Sequence, residues 1–197
     1  MGEVQCVSCQ GYACTGDVSK TPDFCPRRNA AEALARAEEI RTTDAEVRRI
    51  AGVAKTVETD GYRKWPRVRE LIEFSKRLGI RKLGVAFCTG LREETAQLVK
   101  ILESHGFSLS TVACTVNGGC NPVGQAMSLN AQETELNVIM GLCMGHDVLF
   151  SKFSEAPVTT LVVKDRAMCH NPVAPLVNRY WRDTFLNKEE TADGKRM

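Results

Sequence analysis

The sequence predicts an α/β fold: an open, mainly parallel sheet of about four strands with helices on both faces. A helical segment and a small cysteine-rich metal lobe precede the sheet. Two observations carry this. The first is a switch of hydrophobic period after Gly79, from helical spacing to short apolar runs that then alternate with helical stretches. The second is that Cys6, Cys9, Cys14 and Cys25 crowd into 25 residues too poor in apolar side chains to form a core. Together they divide the chain into a lobe (1–28), an α/β domain (29–187; helical over 29–79, sheet over 80–187) and a flexible tail (188–197).

Taken in order, residues 1–28 mix Gly, Pro, Ser and Asp with the cysteines and read as loop. Ala30 to Arg41 is rich in strong helix formers. Thr43 and Glu46 have the spacing of a capping box that opens a second helix reaching about Glu58. Pro66 suits the first turn of a third helix, with Val68, Leu71, Ile72 and Leu78 on one stripe and Gly79 at its end. Strands follow over 82–88, 108–116, 137–142 and 158–163, the last β-branched enough to be buried on both faces. Helices separate them over 92–104, about 123–136 and 148–154, with residues 143–147 as a turn. Asn171 and Pro172 read as the cap and first residue of a last helix.

Composition narrows the function. The chain has 43% hydrophobic and 25% charged residues and a formal net charge of +2, which makes no case for nucleic acid. A basic stretch over 63–82 reads first as a solvated helix face and second as a docking surface for an acidic protein. Neither a signal peptide nor a membrane-length apolar run is visible, so a cytoplasmic protein without a membrane partner is expected. Thiols stay reduced there, and nine is an odd number, which argues against a closed disulfide framework. Clustered cysteines in that compartment read as ligands or redox groups.

The N-terminal spacing is C-x2-C-x4-C-x10-C with Pro26 directly after the last cysteine. Four soft thiolates select zinc or iron–sulfur. Structural zinc sites commonly pair two tight knuckles, whereas the second half here is open. Uneven spacing and a terminal Cys-Pro favour an iron–sulfur cluster, such as 4Fe–4S, over zinc at Cys6, Cys9, Cys14 and Cys25.

The remaining cysteines gather where a parallel sheet works. Ligands bind outside the carboxyl ends of the strands, where strand order reverses. Cys88, Cys114, Cys120 and Cys143 all fall at or just after strand ends, and Lys164, Asp165, Arg166 and His170 follow the fourth strand. A thiol before a helix N-terminus is stabilised as thiolate, which is both nucleophile and ligand. Cys88, Cys120 and Cys143, with or without Cys114, are candidate ligands of a second iron–sulfur cluster. Cys143, His146, Asp147, Lys164, Asp165, Arg166 and His170 are the candidate catalytic groups, suited to a small anionic substrate. Against this stand blander readings: Cys114 as a small buried hydrophobe, His170 as part of a helix start, and Lys164 to Arg166 as a solvated loop. Cys169 is assigned no role.

The N-terminal cysteine pattern, Cys120-Asn-Pro-Val-Gly-Gln-Ala126, Gly141-Leu-Cys-Met-Gly-His-Asp147, the run Ala156 to Arg166 and His170-Asn-Pro172 together resemble an uncharacterised, cysteine-rich family of bacteria and archaea. That family is described as predicted metal-binding proteins, a domain of unknown function. The resemblance spans nearly the whole chain and implies metal binding. It carries over Cys6, Cys9, Cys14, Cys25, Cys120, Cys143, His146, Asp147, Lys164, Asp165 and Arg166.

Three functions are expected to compete. One is a redox metalloprotein whose N-terminal cluster exchanges electrons with the sheet-edge site and with a protein partner, the lobe folding back over that edge within electron-transfer reach. Another is a thiol transferase or hydrolase with a structural zinc lobe, using Cys143 or Cys88 as nucleophile. The third is a metal or redox sensor without catalysis. No phosphate-binding glycine motif and no serine nucleophile elbow is present.

Overall fold

The computed structural model describes residues 3–11, 14 and 16–186; the expected tail over 188–197 lies outside them. Contacts divide the chain into two compact units, Met1–Asp60 and Gly61–Met197. In this division the early helical segment groups with the cysteine-rich one.

In the first unit a short helix α1 (Pro26–Asn29) is followed by α2 (Ala31–Thr43) and α3 (Ala45–Gly61). Pro26 occupies the first position of α1 and Cys25 its N-cap, where the missing proline N–H costs nothing. α2 has no fully buried residue. The cap of α3 differs by one residue from the expected box. Asp44 Oδ1 accepts from the N–H groups of Glu46 and Val47 at 2.9 and 3.0 Å, while the Thr43 hydroxyl donates back to Glu39 O. A carboxylate at the N-terminus also opposes the helix dipole, so aspartate wins the position from its threonine neighbour.

The second unit opens with α4 (Arg67–Arg77), whose Leu71 and Ile72 are buried as its stripe requires. Gly79, at φ +70°, turns the chain out of it. Four strands then form one sheet: β1 (Lys82–Phe87), β2 (Ser108–Ala113), β3 (Leu136–Met140) and β4 (Val158–Val162). Their order is β2-β1-β3-β4, and every pairing is parallel. The crossovers are α5 (Arg92–Ser104), α6 (Pro122–Asn130) and α7 (Met144–Phe153).

Side chains alternate across the pleat, so the sheet has two cores. Leu83 and Val85 of β1, with Leu136, Val138 and Met140 of β3, meet Leu71 and Ile72 of α4 and Leu98 and Leu102 of α5. On the other face Ala86 and Ile139 meet Ala126 and Leu129 of α6 and Phe150 of α7. One buried polar network interrupts the second face. Asn137 is fully buried, accepts from Thr134 Oγ1 at 2.8 Å and donates to Ser154 Oγ at 2.8 Å. Gly84 lies opposite Asn137 in register, and a Cβ there would sit 1.9 Å from Asn137 Oδ1.

Several local expectations are corrected. β4 pairs only with β3 and is half-buried throughout, because an edge strand is covered less than a central one. α6 stops at Asn130, and Leu136 opens β3 instead. Residues 144–147 are not a turn but the first turn of α7, with Cys143 as its N-cap. Asn171 caps no helix; the chain turns there and two short helices follow, α8 (Ala174–Val177) and α9 (Arg179–Leu186).

Candidate functional site

From β1 the chain passes to β2 on one side and then to β3 on the other, so strand order reverses between β1 and β3. An open parallel sheet is cleft at that point, outside the carboxyl ends of the strands. Cys88 follows β1 directly, its N–H donating to Met140 O of β3 at 3.2 Å. Cys143 stands three residues past β3, where its carbonyl accepts from the N–H groups of His146 and Asp147.

Lys164, arriving from β4, donates from Nζ to Cys88 Sγ across 76 residues of sequence. Burial by itself would raise the Cys88 thiol; the Lys164 hydrogen bond, the Gly90 N–H and the Lys164 charge overcome it and hold the thiol below its ordinary value. Arg166 Nη2 approaches Cys143 Sγ at 3.6 Å. Cys114 is 3% exposed, with Thr89 Oγ1 at 3.9 Å from its sulfur. The exposed Cys120 thiol is pushed up, first by the charge and hydrogen bond of Cys114, then by burial and by Cys143 and Cys88. The sheet edge thus brings together four of the expected sulfurs and two cations.

Asp147 faces the same cluster. Burial is the main influence on its carboxyl and raises it, against the opposing charges of His146 and Lys164. Its Oδ1 is buried without a hydrogen-bond partner among the described residues. The folded-state pKa exceeds the unfolded one, so stability is lost as pH rises through the folded value and stays lost at neutral pH. Asp147→Asn is therefore expected to raise the melting temperature at neutral pH and to change it little in acid, where the carboxyl is already neutral. Thermal melts of both proteins across that range check it; a variant less stable at neutral pH would mean the carboxylate is held by a favourable partner.

Two other expected groups shape the loop. His170 Nδ1 accepts from the Asp165 N–H at 3.1 Å, and the His170 N–H donates to Asp165 O at 2.8 Å. Asp165 Oδ1 accepts from the N–H groups of Ala167 and Met168. Cys169 and His170 adopt left-handed backbone at φ +49° and +62°, so this turn depends on those bonds. Cys169 itself is exposed.

Sequence reasoning missed Gln125. It is fully buried, and its Nε2 donates to Phe87 O at 3.2 Å and Val112 O at 2.7 Å, tying α6 to the ends of β1 and β2 beside Cys88 and Cys114. The only available signal was an amide in the otherwise apolar segment after Pro122. Asn121 caps α6 by accepting from the Gly124 N–H at 2.8 Å, which sets the turn that carries Cys120.

In the first unit, Cys6, Cys9, Cys14 and Cys25 all line one cavity of about 650 Å³, together with Phe24 and Lys20. Polar side chains brace the same segment of chain. Asn29 Nδ2 donates to Glu3 O at 2.9 Å and Asp23 O at 2.8 Å, and Arg28 donates to Asp23 Oδ1 and to Ser19 O. Thr21 is the one fully buried residue among those described over 3–28. Among the described residues, no group of three or more histidine, cysteine, aspartate or glutamate side chains is placed to hold a metal ion.

Comparison with known proteins fits this cysteine-rich chain to a profile described as "Protein of unknown function (DUF1847)", over residues 25–119 and 115–161. The chain belongs to the DUF1847 family. The match takes in Cys25, all four strand-end cysteines and most of the sheet, and begins after Cys6, Cys9 and Cys14. An uncharacterised protein of Methanocaldococcus jannaschii is 42% identical to this member of the family, in an alignment covering 70% of this chain and 80% of the relative. No solved structure matches. No helix among the described residues is long and apolar enough to cross a membrane.

Proposed function

We propose that this DUF1847 protein is a redox protein with a thiolate-bound iron–sulfur cluster in its N-terminal lobe and a second, thiol-based site at the carboxyl edge of its sheet. The observation that carries the reading is the single cavity lined by Cys6, Cys9, Cys14 and Cys25. Its volume of about 650 Å³ far exceeds the space one ion fills, and Lys20 and Arg27 in its wall offset the negative charge of a thiolate-ligated cluster. Because the sulfurs are not already gathered around an ion, binding would draw them inward, coupling metal uptake to the folding of a lobe without a core.

At the sheet edge the pairing of cations with sulfur favours reactive thiols over cluster ligands. Lys164 satisfies Cys88, and Arg166 approaches Cys143. All nine cysteines are free thiols, which suits a reducing compartment, and we assign the protein to the cytoplasm. A small electron-transfer protein is the partner such a cluster would serve.

Anaerobic purification with iron, sulfide and zinc analysis tests the reading. Iron and acid-labile sulfide in equal amounts, a broad visible charge-transfer band and a paramagnetic signal on reduction are expected. Colourless protein with one zinc would replace the cluster by a structural ion, and protein loaded with neither metal would overturn the site.

A further inference from the structure

Cys88 and Cys114 stand side by side at the ends of neighbouring strands. The last ladder pair of β1 and β2 is Phe87 with Ala113, and the Cys114 N–H continues the ladder by donating to Phe87 O at 2.8 Å. The next pair is therefore Cys88 with Cys114. Both pack on the sheet face covered by α6 and α7. Neighbouring strands lie about 4.8 Å apart, inside the range of about 4.4–6.8 Å that a disulfide spans between Cα atoms.

The two sulfurs are not equivalent. Cys88 is part-exposed and faces Lys164 and the Gly90 N–H, whereas Cys114 is buried behind it. An accessible thiolate in front of a shielded thiol is the arrangement in which the first attacks and the second resolves. Cys120 also lies near Cys114, but its thiol is exposed and pushed up by the neighbouring sulfurs. We propose that Cys88 and Cys114 form a reversible dithiol–disulfide couple that reduces small disulfides carrying carboxylates. Lys164 and Arg166 supply the preference for anions, since a guanidinium has donors beyond the one given to Cys143.

The steps balance. Cys88 thiolate attacks one sulfur of the substrate disulfide; that S–S bond breaks, a new one joins Cys88 to one half, and the other half leaves as thiolate. Cys114 then attacks Cys88 Sγ as its proton passes to one released thiolate, the second half departs as thiolate, and solvent returns to it the proton that Cys88 gave up on ionising. Two protein thiols are oxidised to one disulfide, and the substrate is reduced by the same two electrons to two thiols.

The inference rests on the sheet-edge sulfurs being reactive thiols and is independent of what the N-terminal lobe binds. The test uses the full chain as purified anaerobically, glutathione disulfide as probe, and peptide mapping that reads each cysteine separately. A Cys88–Cys114 cross-link is expected in the wild type. Cys114→Ser, or Cys114→Ala should the serine not fold, is expected to trap glutathione on Cys88, and Cys88→Ser to yield neither species. Lys164→Met should slow capture at neutral pH about tenfold and recover at alkaline pH, where Cys88 ionises unaided. Cationic cystamine should react more slowly than glutathione disulfide. A cross-link between Cys114 and Cys120, first capture at any other cysteine, or a preference for cystamine would overturn the proposal. Loss of iron from Cys88→Ser would overturn it differently, by making Cys88 a ligand, while leaving the N-terminal cluster to its own metal analysis.

Discussion

In the cluster-bound protein proposed above, stripping the metal from the N-terminal lobe is expected to unfold that lobe while the parallel sheet stays protected. The lobe has almost nothing else to fold around. Among its described residues Thr21 alone is fully buried, and its braces are exposed bonds from Asn29, Arg28 and Arg27. Exposed polar bonds are worth about 1 kcal/mol each at best, and ordering one residue costs about as much. Binding free energy in such a lobe becomes folding free energy, about 10–16 kcal/mol for structural zinc in small peptides. Hydrogen exchange should show amides of the 3–28 segment, such as that of Cys25, losing protection when a chelator is added after cluster oxidation. Cys25→Ser should do the same without chelator. The amides of β1 and β3 should be unaffected, since that core is in the other compact unit. Equal protection of the lobe with and without metal would deny the metal any structural role.

The second large effect is expected at Gly84. In register it faces Asn137, and an added Cβ would lie 1.9 Å from Asn137 Oδ1 and 2.9 Å from Leu129 Cδ1. Asn137 cannot simply step aside, because Thr134 and Ser154 hold its two ends. Gly84→Ala must therefore shift a central strand or break a buried polar network. Overpacking typically costs 1–3 kcal/mol, and an unsatisfied buried polar group adds a similar amount, so a loss of about 3 kcal/mol is expected. Urea unfolding should show a lower midpoint at unchanged slope. The cost should fall by about half in an Asn137→Ala background, because the closer clash is then gone and only Leu129 Cδ1 remains in the way. A cost that is the same in both backgrounds would place the strain elsewhere, at Leu129.

What was legible in the sequence was local. Gly79 and Gly106 ended helices because only glycine takes their positive φ without strain. The α5 limits matched the sequence reading at both ends, since Arg92 to Ser104 is strongly amphipathic and flanked by breakers. Errors came where two local signals competed. Asp44 displaced Thr43 as a cap because both are good capping residues one position apart. Helix formers carried the reading of α6 on to Leu136, although the chain turns at Glu133 with φ +52°. β4 looked doubly buried because its β-branched residues say what fits a sheet, not whether the strand lies at its edge.

The candidate sites divide the same way. The sequence by itself determined that four cysteines share the first 25 residues and that Cys88, Cys114, Cys120 and Cys143 fall at or soon after strand ends. Those are consequences of spacing and period, which are local properties. Tertiary structure alone decided that β1 lies between β2 and β3, that Cys88 therefore neighbours Cys114, and that Lys164 reaches back across 76 residues to the Cys88 sulfur. Strand order is chosen by the packing of both sheet faces at once, and period along the chain carries no record of which strand lies beside which. The buried amide of Gln125 belongs to that second group too, because its partners Phe87 O and Val112 O become adjacent only when β1 and β2 pair.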